Sequence, residues 1–322
     1  MTTTRVITII CWAVSALVLI GLLIWFLTGT VFGTWGSNWF SGINIGNIEN
    51  LSGSFSSQST YKADPSNIHT IDINWVAGEV TVIPHDGDEI LVTESAQRDL
   101  RENERFRTST DGGTLTVRFR ERGSTPRNMP RKNLEVLVPH SLSEDLTRLN
   151  INTTSGSVKT DNFNATTVKI SSVSASVNIS GFVSQGIDIN TTSGAVTASS
   201  IRAGRLDISS VSGAANISDS LVTTLDVSTT SGRTNATGEF DRVDVSTVSG
   251  STTIRSTSAP SRLSVSSVSG ATDIYIPDTG VITVSHSAVS GRFSSEVPVT
   301  MQSGAAYSFS SVSGNTSIHI LR

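Results

Sequence analysis

Residues 206–217 read LDISSVSGAANI, and nearly the same stretch returns at 187–198 (IDINTTSGAVTA) and at 225–236 (LDVSTTSGRTNA). Apolar residues hold offsets of 0, 2, 5, 9 and 11 within each copy: Leu206, Ile208, Val211, Ala215 and Ile217, or Val168, Ile170, Val173, Val177 and Ile179. Leu263, Val265, Val268, Thr272 and Ile274 follow the same template. Alternation by two at either end of the copy is the signature of a strand. The odd steps around the central Ser-Gly mean that a turn or bulge resets which face points inward. The spacing predicts two short strands per copy, with all five template positions facing inward.

Working outward, the step recurs at Ser155-Gly156, Ser193-Gly194, Ser212-Gly213, Ser231-Gly232, Ser249-Gly250, Ser269-Gly270, Ser290-Gly291 and Ser313-Gly314. Ser174-Ala175 fills the remaining gap, so successive copies lie 19, 19, 19, 19, 18, 20, 21 and 23 residues apart. One copy cannot bury its own inner row. Stacked about 4.8 Å apart, copies pair backbone groups with neighbours above and below while Val, Ile and Leu form internal ladders. The expected fold is an all-β, single-stranded parallel β-solenoid of about 19 residues per coil, with nine regular coils over 149–322. A β-sandwich does not repeat to the residue. Glycine at the corner answers to positive φ or to a lack of room for Cβ, and Ala175 points to tight space.

Ile71, Ile73, Val76, Val80 and Val82 fit the template earlier in the chain, with Ala77-Gly78 at the corner, and predict a first, N-terminal coil. Strands around Ile90–Thr93, Leu115–Phe119 and Leu134–Val138, with the charged stretch Arg98–Arg107, make 68–148 an irregular entrance region. The chain ends in strand, NTSIHILR (315–322). An uncapped last coil would expose an edge for a partner strand or a second copy, unless His319 and Arg322 blunt it.

The run NLEVLVPHSL (133–142), then RLNINTTSGSVKTDNF (148–163) and the strand-Ser-Gly-strand repeats, resembles the bacterial putative-adhesin family of β-strand-repeat domains over about residues 68–322. The resemblance implies architecture. The family has no established function and no catalytic residues to carry over. In this chain Ser-Gly is followed by Ala, Ser or Arg more than by an acid.

Val6–Phe32 carries no charged residue, enough for a helix across a bilayer, where about 20 apolar residues suffice. The run is longer than a signal-peptide core and lacks a small-x-small cleavage site. Arg5 precedes it and no basic residue follows until Lys62, which places the N-terminus in the cytoplasm and the rest outside. The sequence thus divides into a cytoplasmic tail (1–5), a single transmembrane helix (6–32), an interfacial linker with Trp35, Trp39 and Phe40 (33–67), the entrance region and the solenoid. The lone Cys11 forms no intramolecular disulfide.

Stacking brings equivalent outward residues into rows. Asp188, Asp207, Asp226 and Asp244, all at offset 1, should form a row of four carboxylates with Lys169 at one end. A Ca²⁺ site or a docking strip for cationic peptides is one reading; a solvated ladder with raised carboxylate pKa values is the other. Arg118, Arg120 and Arg122 alternate on one strand, and Arg127, Arg131 and Lys132 follow in a loop. They form a candidate contact for an anionic membrane or wall polymer, or a plain solvated face balanced by Glu102, Glu104 and Glu121. His69, His85, His140, His286 and His319 are dispersed, and no G-x-S-x-G elbow occurs, so the residues give catalysis no foothold and call for no cofactor. Net charge −4 and pI near 5.7 argue against nucleic acid. The expected function is a non-enzymatic, membrane-anchored binding or scaffold module that contacts an envelope protein or wall polymer, with envelope-stress sensing as one version. Its rivals are a surface adhesin for foreign surfaces or glycans and, behind it, an enzyme of unrecognised type. Nine coils give a rod of only about 43 Å, short for reaching beyond a thick wall.

Overall fold

The computed structural model describes residues 48–49, 55, 57–120 and 129–322. The expected transmembrane helix and aromatic belt lie outside these residues, and no helix among the described residues is long and apolar enough to cross a membrane. What is described is a parallel β-solenoid. In one strand ladder Leu149, Val168, Ile187, Leu206, Leu225, Val243 and Leu263 pair in register, each one coil from the next. In a second ladder Val158, Val177, Val196, Ala215, Thr234, Thr252 and Thr272 do the same. A third side is filled by Phe163 and Phe182, stacked with centroids 5.8 Å apart, and by Ile201, all buried. No coil has a core of its own. The interior is one continuous apolar column running the length of the stack.

Offsets 0, 2, 9 and 11 are buried as expected except in the outermost C-terminal coil; offset 5 is buried at Val76 but only partly covered at the valines of the later coils. Val173, Val211, Val248 and Val268 are only partly covered and stand just outside the corner. The first strand continues its alternation one step further, so the residue at offset 4 turns inward: Ser172, Thr191, Ser210, Thr229 and Thr247 are buried. Their hydroxyls serve the turn. Ser210 Oγ accepts from the Gly213 N–H at 2.7 Å, Thr229 Oγ1 from Gly232 at 2.8 Å, and Thr191 Oγ1 from Gly194 at 3.0 Å. A buried N–H at a tight corner must find an acceptor, and a short hydroxyl three residues earlier supplies it. The abundance of Ser and Thr is therefore partly structural.

The corner glycines are required by space. A Cβ on Gly213 would lie 2.0 Å from the Gly194 carbonyl oxygen, and one on Gly232 would lie 1.9 Å from that of Gly213. The corner of each coil rests directly on the corner below. At Gly156 the backbone also takes a positive φ of 119°, so this copy meets both conditions.

Both ends depart from chain order. Thr70–Asn74 and Ala77–His85 were expected to form the first coil, yet they lie second. Outside them pair Thr114–Arg118 and Lys132–Pro139, in parallel register Ile71↔Leu115 and Val80↔Leu134. The supposed irregular entrance is thus a regular outer coil, capped by antiparallel strands: Arg107–Asp111 on one ladder, and Ile90–Ala96 followed by Ser57–Ala63 on the other. At the far end the last coil, Tyr307–Ser313 with Thr316–Ile320, is inserted between the coil of Arg262–Ser269 and that of Ile282–Ser290. Leu263 pairs with Tyr307, which in turn pairs with Val284. The expectation that the chain's final strand exposes its edge is therefore corrected. Thr316–Ile320 has a neighbour on either side, and the edge strands at this end are Phe293–Ser295 and Val299–Met301.

Candidate functional site

The outward rows exist as the repeat dictates. Lys169, Asp188, Asp207, Asp226 and Asp244 are consecutive register partners. Lys169 Nζ lies 4.0 Å from Asp188 Oδ2. A second counter-charge is Arg205, one residue before Leu206. It reaches Asp207 at 3.0 Å and Asp226 at 2.6 Å, bridging two coils. Burial raises the carboxyls of Asp188, Asp226 and Asp244 above the usual range; a neighbouring carboxylate adds to each, and Lys169, Arg205 and Arg262 oppose. Asn190 Nδ2 donates to Asp188 at 2.6 Å. The row is a strip of carboxylates partly neutralised from within. No group of three or more His, Cys, Asp or Glu among the described residues converges as a metal site would require.

Of the described members of the basic cluster, Lys132 leaves the surface. Arg122 and Arg127 lie outside the described residues. Arg118 ends its strand partly buried, beside Asp72, and Arg120 is partly buried one residue beyond Phe119. Arg131 is exposed. Lys132, expected as a surface contact, is 0% exposed. Its Nζ donates to Glu94 Oε2 at 2.7 Å, to the Glu104 carbonyl at 2.7 Å and to the Phe119 carbonyl, above the rings of Trp75 and Phe119. The Trp75 indole N–H donates to the Lys132 carbonyl at 2.8 Å. Glu94 also accepts from the Phe106 N–H, and buried Glu104 takes a forked pair from Arg98 at 2.8 and 2.9 Å. Burial pulls the Lys132 ammonium down to about 8, with Glu94 and Glu104 opposing. Parity carried the signal: Lys132 alternates with Leu134, Val136 and Val138, and Glu94 with Ile90 and Val92, all buried. Three acceptors and two ring faces satisfy the ammonium completely, and this network seals the N-terminal end of the column.

The histidines stay dispersed. His286 occupies an inward position in the outermost C-terminal coil, its ring 5.1 Å from that of Phe293. His319 faces outward, stacked on Tyr275 at 4.7 Å and 3.3 Å from Glu296. Arg255 covers the other face of Tyr275, with Cζ 3.6 Å from the ring centroid. Phe163, Phe182, Phe240 and Phe309 are buried, so they form no outward aromatic platform.

Among solved structures, the chain is similar to a putative adhesin from Parabacteroides merdae, with TM-score 0.50 and 13% identity over 85% of this chain and 98% of that one. It also aligns with a putative adhesin from Parabacteroides distasonis (TM-score 0.47, 13% identity, 81% and 97% covered) and with a protein named as a putative lipid binding protein from the same species (0.44, 17%, 85% and 99%). The first likeness, at that identity, is one of fold. No curated protein matches the chain. The model of the Toastrack DUF4097 family matches residues 68–321, from just before Thr70–Asn74 to the inserted last strand, and the chain belongs to that family.

Proposed function

We propose that this protein is a non-enzymatic envelope binding module: a rigid rod, tethered by a single membrane-spanning segment at 6–32 with its N-terminus in the cytoplasm, that offers linear rows of side chains to another envelope component. Sensing of envelope stress alongside other membrane proteins is one version of this reading. The observation that supports this reading is register. One residue per coil falls on each outward row, so Asp188, Asp207, Asp226 and Asp244 form a straight strip along a scaffold whose corners and core leave it little freedom to bend. A partner carrying basic groups at matching spacing would meet several carboxylates at once, and the interactions would reinforce one another.

The test is in-cell crosslinking of the full-length chain, with mass spectrometry of what it captures. The expected result is reproducible capture of a membrane or envelope protein that falls away when Asp188, Asp207, Asp226 and Asp244 are all changed to Asn. Absence of any captured envelope protein, with the chain binding foreign cells or glycans instead, would overturn the reading in favour of an adhesin.

A further inference from the structure

The open edge at the C-terminal end is self-complementary in charge. Phe293–Ser295 pairs on one side with Thr316–Ile320 and has no second strand neighbour among the described residues. Arg292, Ser294 and Glu296 are exposed, while Phe293 and Ser295 turn toward the interior. Arg292 and Glu296 stand two residues to either side of Ser294. If the edge pairs antiparallel with its own copy about Ser294, Arg292 of each chain falls opposite Glu296 of the other, and Phe293 falls opposite Ser295. Opposite charges in directly facing positions favour that register. The Ile320 N–H, at 3.0 Å, and His319 hold Glu296 in place without burying it.

The two largest apolar exposures among the described residues lie at the same end. Val281 is 68% exposed and Met301 55%, although Val299 and Phe293 near them pack against the core. The column simply stops, with side chains of interior type facing outward. At the other end the Lys132 network fills the column, and the outermost strands, Ser57–Ala63 and Arg107–Asp111, pair antiparallel with the strands beside them. A head-to-tail contact would set unlike ends together, whereas a two-fold pairing of C-terminal ends sets Arg292 against Glu296 on both sides and closes at two chains.

We propose that the protein associates as a two-fold dimer through this end, the Phe293–Ser295 edges of two copies pairing antiparallel with Arg292 and Glu296 in reciprocal ion pairs. The dimer extends each column into its partner and places the two N-terminal ends far apart.

The test uses the full chain in detergent or membranes. Two variants are made, Arg292→Glu and Glu296→Arg. Each sets like charges opposite one another in a homodimer, and each should weaken self-association about tenfold or more. Mixed together, the two variants restore both ion pairs and should associate as well as the wild type, which distinguishes a register-specific contact from a folding defect. In a Cys11→Ser background, Ser294→Cys should form an interchain disulfide, because directly facing antiparallel residues lie about 4.5–5.5 Å apart at Cα. Ser317→Cys, one strand inside the edge, should not. A wild-type chain that sediments as a monomer, or a dimer that neither variant disturbs, overturns the proposal.

Discussion

At the N-terminal end of the rod the outermost coil, Thr114–Arg118 with Lys132–Pro139, is closed by antiparallel strands and by a lysine buried among three acceptors. At the C-terminal end the outermost coil, Ile282–Ser290 with Phe293–Ser295, has one full coil beneath it and only Val299–Met301 above part of it. At the N-terminal end the chain lays the second coil first, steps outward to the outermost coil and returns to the inner side of the second. At the C-terminal end it steps outward first and then fills the place beneath. Only the first end adds polar closure. A parallel stack leaves a row of unpaired N–H and C=O groups and an uncovered apolar column wherever it stops. The sunken charges and the strands laid over them cover the column at the first end, where the outermost strands, Ser57–Ala63 and Arg107–Asp111, run opposite to the strands they pair with; a bare coil leaves the column uncovered. The difference sets where the molecule is stable and where it is available for contact.

The largest effect that would separate the ends is at Lys132. Changing Lys132 to Ala leaves the Glu94 carboxylate buried without its counter-charge and should cost about 3–5 kcal/mol in a urea titration. Glu296→Gln at the open end should leave the midpoint almost unchanged, since its partners are near solvent. Comparable losses from both would erase the contrast. The same lysine predicts a pH dependence. Its folded-state value, about 8, lies below the ordinary value of 10.5, so the folded chain gives up its proton first. Stability relative to Lys132→Met should therefore rise as pH climbs from 8 toward 10.5, with that gain lost again as pH falls through 8.

Next in size is the middle of the rod. Gly232→Ala forces a methyl against the Gly213 carbonyl and should cost about 2–3 kcal/mol, read from the thermal midpoint. Ser210→Ala takes the acceptor from the Gly213 N–H and should cost about 1–2 kcal/mol. A harmless Ser210→Ala would mean that the buried hydroxyl row does not hold the corners. Smallest is the carboxylate strip. Asp226 and Asp244 titrate above the usual range, so the folded chain binds those protons more tightly and the strip's contribution to stability declines as pH rises through that range. Asp244→Asn should flatten the slope without lowering stability at neutral pH, which a pH series of denaturation midpoints would check.

Much of the fold is legible in the repeat. Strand positions, corner glycines and the order of Asp188, Asp207, Asp226 and Asp244 follow from counting offsets, because each coil repeats the same backbone problem. The same repetition hides the ends. Every coil presents an equivalent inward pattern, so the pattern cannot say which coil lies against which, and Leu263 matches Tyr307 as readily as it matches Val284. The lengthening steps of 21 and 23 residues before Ser290 and Ser313 are the trace of the excursion. The offset-5 valines mislead because their hydrophobicity points inward while parity runs instead through Ser172 and Ser210. Lys132 and Glu94 mislead for the converse reason: their charge suggests a surface, and their alternation puts them among buried valines. Arg205 carries no signal in the sequence, because a counter-ion one row away becomes a neighbour only after coils stack.

The inserted ends are tested most directly by native-state hydrogen exchange on the full chain. Amides of Thr316–Ile320, held between two strands, should exchange more slowly than those of Phe293–Ser295, which come earlier in the chain but lie outside. Fast exchange at 316–320 with protection at 293–295 would mean that the coils stack in chain order, and would contradict the insertion of the last coil beneath the outermost one.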